Sequence, residues 1–275
     1  MTPPLLAVDG DSFAHRAYHA LPRSIRRGDG GAGNALVGFM TMLIRLWLDE
    51  QPRAVVVAWD TLFVPTYRNA LLEGYQSGRE FDDDILEQLD LLPALVGSTG
   101  IVCGKAAGYE ADDFLAAAVA QEELRGGATL VATSDRDAFQ LASEHTTILQ
   151  PIRGGGGMAR IGPAEVRERY GVDPVQVTDF IALRGDPSDK IPGARGIGPK
   201  TAAVLLQEHG TLEALLAAGR FAAEAERLRD YRRLAVLDAA APLPELVDLK
   251  PDWRAGAVAA RELGLERLAV RLEET

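Results

Sequence analysis

The stretch Leu5-Leu6-Ala7-Val8-Asp9 is a short apolar run that ends at a carboxylate. Two further runs, Ala54–Trp59 and Thr129–Thr133, are also rich in apolar residues, and a carboxylate follows each of them within two residues. Apolar runs of this length are typical of strands that are buried on both faces of a parallel sheet. These three stretches therefore predict the centre of an α/β fold.

Helical patterns lie between these runs. Apolar residues recur with helical spacing in Asn34–Glu50, Asp83–Val96 and Asp112–Leu124. Strands that alternate with helices imply right-handed βαβ units and a mostly parallel, twisted sheet flanked by helices. Thr146–Arg153 and Met158–Ile161 flank a glycine run, which predicts a hairpin. Because no Gly-Lys-Ser/Thr follows that run, a phosphate-binding P-loop is a poor interpretation.

The sequence after Pro163 is helical, in short segments separated by Gly and Pro. We therefore expect an α/β core over residues 1–162 and a smaller helical region over residues 163–275. The last part of that region is a tail with helical patterns but no recognisable chemistry.

Composition limits the class of protein. Of the 275 residues, 47% are hydrophobic and 25% are charged, and no apolar run approaches the ~20 residues of a membrane span. The start of the chain has no signal-peptide pattern, so we expect a cytoplasmic protein without a membrane partner. Cys103 is the only cysteine, which excludes disulfides and cysteine-based zinc sites, and we expect it at a buried strand position.

The formal net charge of −11 argues at first against a nucleic-acid partner, because phosphate-binding surfaces are normally basic. The location of the acids decides the question. If many of them converge on one pocket and hold cations, the net charge says little about a surface that faces DNA.

Carboxylates follow the three predicted strands and open one predicted helix. Loops at the carboxyl ends of parallel strands meet at one edge of a sheet, where sites form. A single Asp is more often a helix cap or a turn residue, but acids after three strands and at a helix start favour a common site. These acids are Asp9, Asp60, Glu110, Asp112, Asp113, Asp135 and Asp137.

A cluster of this kind repels itself and raises its own pKa values unless cations neutralise it. Oxygen ligands without His or Cys suit Mg²⁺ or Mn²⁺. The four histidines are scattered and show no zinc spacing. The sequence therefore predicts a site for hard divalent cations.

A glycine-punctuated motif over Arg184–Ala202 places two more acids, Asp186 and Asp189, beside a turn. Pro199 suits the first position of a helix, and glycines let backbone N–H groups approach an anion closely. Such a turn binds a phosphate at a helix N-terminus and reads no bases. A purely structural turn would explain the glycines but not the basic residues beside them. The residues expected to bind DNA are Lys190, Gly193, Arg195, Gly196, Gly198, Lys200 and Thr201.

Five segments, in chain order, resemble the 5′ nuclease, or flap endonuclease, family. They are Leu6–Gly10, Trp59-Asp60, Gly108–Asp113, Thr133–Asp137 and Gly185–Thr201. The agreement runs from about residue 5 to residue 206, and the rest of the chain resembles the family only loosely. The family includes the 5′-3′ exonuclease domain of bacterial DNA polymerase I, and the resemblance implies a stand-alone version of that domain.

The resemblance implies a PIN-like core with an arch region over residues 63–98 and a helix–three-turn–helix motif over residues 183–208 that grips duplex DNA. It also implies two divalent metal ions, Mg²⁺ or Mn²⁺, and a K⁺ ion in the turn of that motif. The implied partners are DNA with 5′ flaps, nicks or ends and a separate DNA polymerase, and the expected state is a monomer.

The family's site residues carry over by position. Those implied for a first metal are Asp9, Asp60, Glu110 and Asp112, and those implied for a second are Asp113, Asp135, Asp137, Asp186 and Asp189. In the arch, Arg68, Tyr75 and Arg79 match family positions, and Arg16 matches a basic position after the first strand. Two residues depart from the family pattern: Gln76 replaces the usual lysine, and Lys190 replaces a common asparagine.

The expected reaction is structure-specific hydrolysis of DNA phosphodiesters near 5′ ends, in replication and repair, by two metal ions ~4 Å apart. Arg68 and Arg79 would orient the scissile phosphate, and Tyr75 would stack on a frayed base. Gln76 would be the fourth arch residue of the catalytic set.

Two alternatives start from other chemistry. Asp9-Gly10-Asp11-Ser12 after a strand suits a phosphatase that forms an aspartyl-phosphate, and a DNA clamp that has lost catalysis at Gln76 would use only the binding motif. The sequence leaves open exonuclease against flap endonuclease preference, DNA against RNA–DNA hybrids, and Mg²⁺ against Mn²⁺.

Overall fold

A computed structural model describes residues 2–77, 81–152, 154 and 157–275. Within these residues, the centre of the fold is one six-stranded sheet in the order β3-β2-β1-β4-β5-β6, in which the described pairs are parallel except β5 with β6. The strands are β1 (Leu5–Asp9), β2 (Ala54–Ala58), β3 (Val102–Gly104), β4 (Thr129–Ala132), β5 (Thr146–Pro151) and β6 (Met158–Ile161).

The three strands that the sequence predicts to end at carboxylates are neighbours. Leu5 of β1 pairs with Ala54 of β2 and with Thr129 of β4, so the three strands start in register. Their carboxyl ends therefore lie on one edge of the sheet. The chain leaves β1 toward β2 and returns later to β4 on the other side of β1, and ligand sites of open α/β sheets lie at such a switch point.

Helices cover both faces of the sheet. The helices of the described residues are α1 (Gly10–Ala20), α2 (Asn34–Glu50), α3 (Tyr67–Leu71), α4 (Asp83–Gly97), α5 (Ala111–Leu124), α6 (Pro163–Tyr170), α7 (Val177–Arg184), α8 (Pro199–His209), α9 (Leu212–Ala217), α10 (Ala225–Ala235), α11 (Trp253–Glu262) and α12 (Glu266–Glu273). Single 3₁₀ turns occupy Asp137–Leu141, Pro174–Gln176 and Ala222–Glu224. This mixed architecture confirms the predicted α/β class.

Alternate residues of β1 belong to two different cores. Leu5 packs in the cluster that contains Phe114 of α5 and helices of the C-terminal half, whereas Leu6 packs with Phe39 of α2 on the other face. Burial on both faces is the physical reason why these strands are continuous apolar runs rather than alternating ones.

The end of the chain returns to the core. The backbone N–H of Leu249 donates to the carbonyl of Arg53 at 3.0 Å, and that of Asp252 donates to Thr99 at 2.8 Å. Trp253 then packs in the cluster of α2 and α4. We therefore propose that α11 and α12 belong to the core rather than to the helical region that the sequence predicts over residues 163–275.

In the described part of the chain, no helix has both the length and the apolar character needed to cross a membrane. Cys103 lies in β3, half-buried and with a free thiol.

Candidate active site

One cleft of about 1170 Å³ lies at the carboxyl edge of the sheet. Eight of the nine predicted metal ligands line it: Asp9, Asp60, Glu110, Asp112, Asp135, Asp137, Asp186 and Asp189. The structure therefore brings together acids from three strands, one helix start and the loop after α7.

Asp9 ends β1 and caps α1. One carboxylate oxygen accepts a hydrogen bond from the backbone N–H of Ser12 at 2.9 Å, and the other accepts one from the hydroxyl of Thr133 at 2.6 Å. Burial, together with repulsion from the nearby carboxylates of Asp60 and Asp135, raises the pKa of Asp9 to about 7. The fold thus holds this acid where an ionised carboxylate lacks a countercharge.

Helix α5 supplies Glu110 as its N-cap and Asp112 in its first turn. Asp60 joins β2 to this helix, because its Oδ1 accepts the backbone N–H of Ala111 at 2.7 Å. Asp112 is different: its Oδ1 is buried and has no hydrogen-bond partner. Burial raises the pKa of Asp112 well above its usual value, and repulsion from Asp135 adds to this.

The same cleft also contains Asp135, Asp137, Asp186 and Asp189. Burial, followed by repulsion from these neighbours, also raises the pKa of Asp137 well above its ordinary value. Arg184 donates to Asp186 Oδ2 at 3.0 Å, and its guanidinium lies over the rings of Tyr170 and Phe180. A cation that was not predicted therefore offsets part of the negative charge.

Asp113 is the one predicted metal ligand that is absent from the lining of the cleft. It is fully buried, and both of its oxygens accept hydrogen bonds from Arg68, at 2.7 and 2.9 Å. The backbone N–H groups of Glu110 and Asp238 donate to the same carboxylate. This carboxylate is already saturated, so the arrangement does not fit the predicted role of Asp113 as a metal ligand or of Arg68 as a phosphate contact.

Two arch residues, Tyr75 and Gln76, contact Glu110. Tyr75 is buried and its hydroxyl donates to Glu110 Oε2 at 3.3 Å, so its ring is not presented to a frayed base. Gln76 Nε2 lies 3.4 Å from both Glu110 Oε2 and Asp189 Oδ1, and so links the start of α5 to the loop after α7. Arg16 lines the cleft and donates to the carbonyl of Ile152. Arg79 lies outside the described residues.

The predicted DNA-binding turn joins α7 to α8. Gly193 and Gly196 have φ of +73° and +76°, and a Cβ on Gly193 would lie 2.4 Å from the nitrogen of Gly185. Glycine is therefore required at 193 for space as well as for conformation. Gly198 has an ordinary φ of −96° and caps α8.

The basic residues of this turn face different surroundings. Lys200 and Thr201 are exposed in the first turn of α8, and Arg195 is exposed beside it. Lys190 has φ of +60° and donates from Nζ to the hydroxyl of Ser77 at 3.0 Å, so it links the turn to the arch. Asparagine adopts this left-handed conformation more readily than lysine, which gives a physical reason for the family's preference.

Several cleft residues were not predicted as site residues. Asp11 accepts the backbone N–H of Asp60 at 2.8 Å, and burial raises its pKa well above the ordinary value. The lining also contains three positively charged side chains, those of Arg136, Arg169 and Arg184. Asp11, two residues after Asp9, had the same sequence signal as the predicted acids, whereas the arginines had no pattern that distinguished them.

The donor set of the cleft fits a hard divalent cation. It consists of carboxylates, and the orphaned Oδ1 of Asp112 is a buried acceptor without a donor. Among the described residues, no three acidic, His or Cys side chains form a preformed metal site. The cleft thus brings the carboxylates close together but does not hold them in the coordination geometry of a metal ion.

Two family profiles match the chain in succession. The 5′-3′ exonuclease N-terminal resolvase-like domain matches residues 4–171, and the 5′-3′ exonuclease C-terminal SAM fold matches residues 172–257. Among relatives, DNA polymerase I of Deinococcus radiodurans is 44% identical over 210 residues, which are 76% of this chain and 21% of that protein. The thermostable DNA polymerase I of Thermus aquaticus is 39% identical over 213 residues, 77% of this chain and 25% of that protein.

The chain thus matches about a fifth to a quarter of the length of these polymerases. Among solved structures, the bacteriophage T5 5′-exonuclease with bound zinc superposes with a TM-score of 0.71 at 18% identity, covering 98% of each chain. The catalytic core of Rad2 in complex with DNA superposes with a TM-score of 0.61 at 15% identity, covering 98% of this chain and 92% of that one. These structural likenesses confirm the predicted fold. The two profiles show that the chain belongs to the 5′-3′ exonuclease family.

Proposed function

We propose that this nuclease hydrolyses DNA phosphodiesters near 5′ ends and that the carboxylates of the cleft hold the divalent cations it needs. The observation that supports this most is the buried Oδ1 of Asp112, which has no hydrogen-bond partner at the point where three strands deliver acids. A buried acceptor of this kind is costly unless a cation satisfies it.

In this proposal the ligands form two groups, one for each cation. The first comprises Asp9, Asp60, Glu110 and Asp112, and the second comprises Asp135, Asp137, Asp186 and Asp189. Asp113 is left out because Arg68 already saturates it. Oxygen donors favour Mg²⁺ or Mn²⁺, and bound cations would activate water and stabilise the leaving oxygen.

The protein's own residues hold the ligands in position. Thr133 and the N-terminus of α1 fix Asp9, and the start of α5 fixes Asp60. Gln76 donates to Glu110 and to Asp189, so it limits how far the start of α5 and the loop after α7 can separate. Arg184 supplies a fixed positive charge to the second group and reduces the repulsion within it.

The turn between α7 and α8 supplies the grip on duplex DNA in this proposal. The first N–H groups of α8 point out of the helix, and the exposed Lys200 and Thr201 stand beside them. Helix N-termini bind phosphates in this way without reading the sequence. A K⁺ ion in this turn stays a prediction.

The substrates that we propose are 5′ flaps, nicks and ends. A separate DNA polymerase as a partner is consistent with relatives that are DNA polymerases and match this chain over about a quarter of their length. The cytoplasmic location and the monomeric state stay predictions.

The two alternative functions are less well supported. Both oxygens of Asp9 already accept hydrogen bonds within a buried site, so this carboxylate is poorly placed to attack a phosphate as a phosphatase nucleophile. A DNA clamp without catalysis would not need the buried acids, and Gln76 still contacts two of them.

The test is cleavage of 5′-labelled flap, nicked and single-stranded DNA with Mg²⁺, with Mn²⁺ and with EDTA. We expect short products from the 5′ end, only with a divalent cation, and more from flaps than from intact duplex. The same products in EDTA, or products released from 3′ ends, would contradict the proposal.

A further inference from the structure

Phe63 presents its ring at the mouth of the cleft. Its side chain is 80% exposed, and it lies three residues after Asp60 in the apolar triplet Leu62-Phe63-Val64. All three residues line the cleft together with Asp60 and Glu110. An exposed aromatic ring is therefore part of the wall that carries the first group of acids.

The ring is displayed by a turn that is held at both ends. Before it, the N–H of Asp60 donates to Asp11 Oδ2 at 2.8 Å, and after it, the hydroxyl of Thr66 donates to Glu110 Oε1 at 3.1 Å. Phe63 itself has φ of +62°, a left-handed conformation that is strained for a non-glycine residue. The fold thus accepts backbone strain at a residue whose ring gains little burial.

The chemistry of the cleft restricts what this ring can contact. Carboxylates line the wall of the cleft beside the Phe63 ring. This side of the cleft therefore repels phosphate groups unless bound cations neutralise the charge. The flat face of a nucleobase is uncharged and is stabilised by stacking on an aromatic side chain. Bases within a duplex have their faces covered by neighbours, whereas unpaired bases expose theirs. Tyr75 cannot serve instead, because its ring is buried.

We propose that Phe63 stacks on an unpaired nucleobase next to the scissile phosphate and so favours substrates with unpaired 5′ nucleotides. This inference rests on the proposed function and adds a residue that determines substrate preference. Because stacking reads no base edges, the preference is for unpaired structure and not for a sequence.

The first test is the fluorescence of 2-aminopurine placed at successive positions of a 5′ flap, with Ca²⁺ in place of Mg²⁺ to prevent cleavage. The protein should quench the probe at one or two positions next to the junction. Phe63→Ala should lose the quenching and Phe63→Trp should keep it. The matched control is Leu124→Ala, which removes a residue that is 91% exposed at the end of α5 and absent from the cleft lining.

The second test compares cleavage of the intact flap with that of a flap that is abasic at the quenched position. Phe63→Ala should lower kcat/KM for the intact flap about tenfold, which corresponds to ~1.4 kcal/mol. On the abasic flap, the kcat/KM of wild type should fall to the value that Phe63→Ala has on the intact flap. The kcat/KM of Phe63→Ala should be the same on both flaps.

The outcomes separate this inference from the proposed function. If wild type cleaves flaps but Phe63→Ala cleaves intact and abasic flaps with wild-type efficiencies, the stacking role is overturned and the nuclease function stands. If wild type cleaves no DNA, the proposed function fails and the stacking role fails with it.

Discussion

The guanidinium of Arg68 lies against the carboxylate of Asp113, with hydrogen bonds of 2.7 and 2.9 Å, and neither residue is more than 1% exposed. Arg68 also donates to the carbonyls of Leu234 and Val236 at the end of α10. This buried pair therefore joins α3 of the arch to α5 of the core and to α10. We propose that its role is to hold the cleft together rather than to contact DNA.

We expect Arg68→Met to lower the free energy of unfolding by ~3–5 kcal/mol, because it leaves the charge of Asp113 buried and unpaired. Replacing both partners, as Arg68→Met with Asp113→Leu, should recover part of that loss. Urea unfolding followed by circular dichroism measures both effects.

The matched control for Arg68 is Arg167→Met, which breaks an exposed ion pair with Asp173 at 3.0 Å and should cost less than ~1 kcal/mol. An Arg68→Met variant as stable as this control would show that the buried pair does not hold the fold.

The metal-free protein should lose stability as the pH rises from about 4 to about 7. Burial raises the pKa of Asp9 to about 7, and it raises those of Asp112 and Asp137 as well. The folded state therefore binds protons that the unfolded state has already released, and the free energy of unfolding falls with pH across this interval. Asp9 contributes at most ~4 kcal/mol to this fall.

Urea unfolding in EDTA at several pH values measures this fall. Mg²⁺ or Mn²⁺ should remove most of it near pH 7, because the cations replace the missing countercharge. Asp112→Asn should make the fall in EDTA smaller. Stability in EDTA that rises across the interval would contradict the assignment of repelling, buried carboxylates.

Gln76→Lys should stabilise the metal-free protein, because the amide that it replaces lies 3.4 Å from Glu110 and Asp189. At saturating metal, the added positive charge should raise the single-turnover rate about tenfold, since hydrogen bonds to charged groups contribute ~1.5–3 kcal/mol. Quench-flow cleavage of a flap substrate measures the rate. Tighter binding with an unchanged rate would show that this position acts on the substrate's ground state only.

Lys200→Ala should weaken binding about equally for duplexes of different sequence and reduce the salt dependence of binding by roughly one unit of slope. Fluorescence anisotropy over a salt series measures both quantities. Lys250→Ala, which removes an exposed lysine of the C-terminal tail, should leave the slope unchanged. Equal effects of the two variants on affinity and on its salt dependence would show that the turn before α8 is not part of the DNA-binding surface.

The sequence predicts the centre of this fold well because its signals are local. Continuous apolar runs mark β1, β2 and β4, and a glycine run marks the β5–β6 hairpin. Helix α1 was not predicted, although Phe13 and Tyr18 bury one of its faces. It begins directly at the end of β1, so the helical spacing there merges with the apolar run of the strand.

The site was predictable where the ends of neighbouring strands place acids in one cleft. It was less predictable where a distant hydrogen-bond partner decides the role of a carboxylate. Asp112 and Asp113 are adjacent in sequence, yet one is an orphaned acceptor and the other is saturated by Arg68. Nothing local distinguishes them, because Arg68 lies 45 residues away along the chain. Their positions in the family motifs predicted a metal ligand in both cases. Only the packing of the folded chain distinguishes the two carboxylates.

The single-turnover rate of Asp112→Asn on a 5′-labelled flap tests most directly whether the cleft is a metal-dependent active site. With saturating Mg²⁺ or Mn²⁺ we expect the rate to fall at least about a hundredfold, since metal-ion charge stabilisation contributes several kcal/mol. Binding of the same flap should remain measurable, and Asp173→Asn, at an exposed acid outside the cleft lining, should cleave normally. An Asp112→Asn rate close to that of wild type at saturating metal would contradict the assignment of this cleft as the active site.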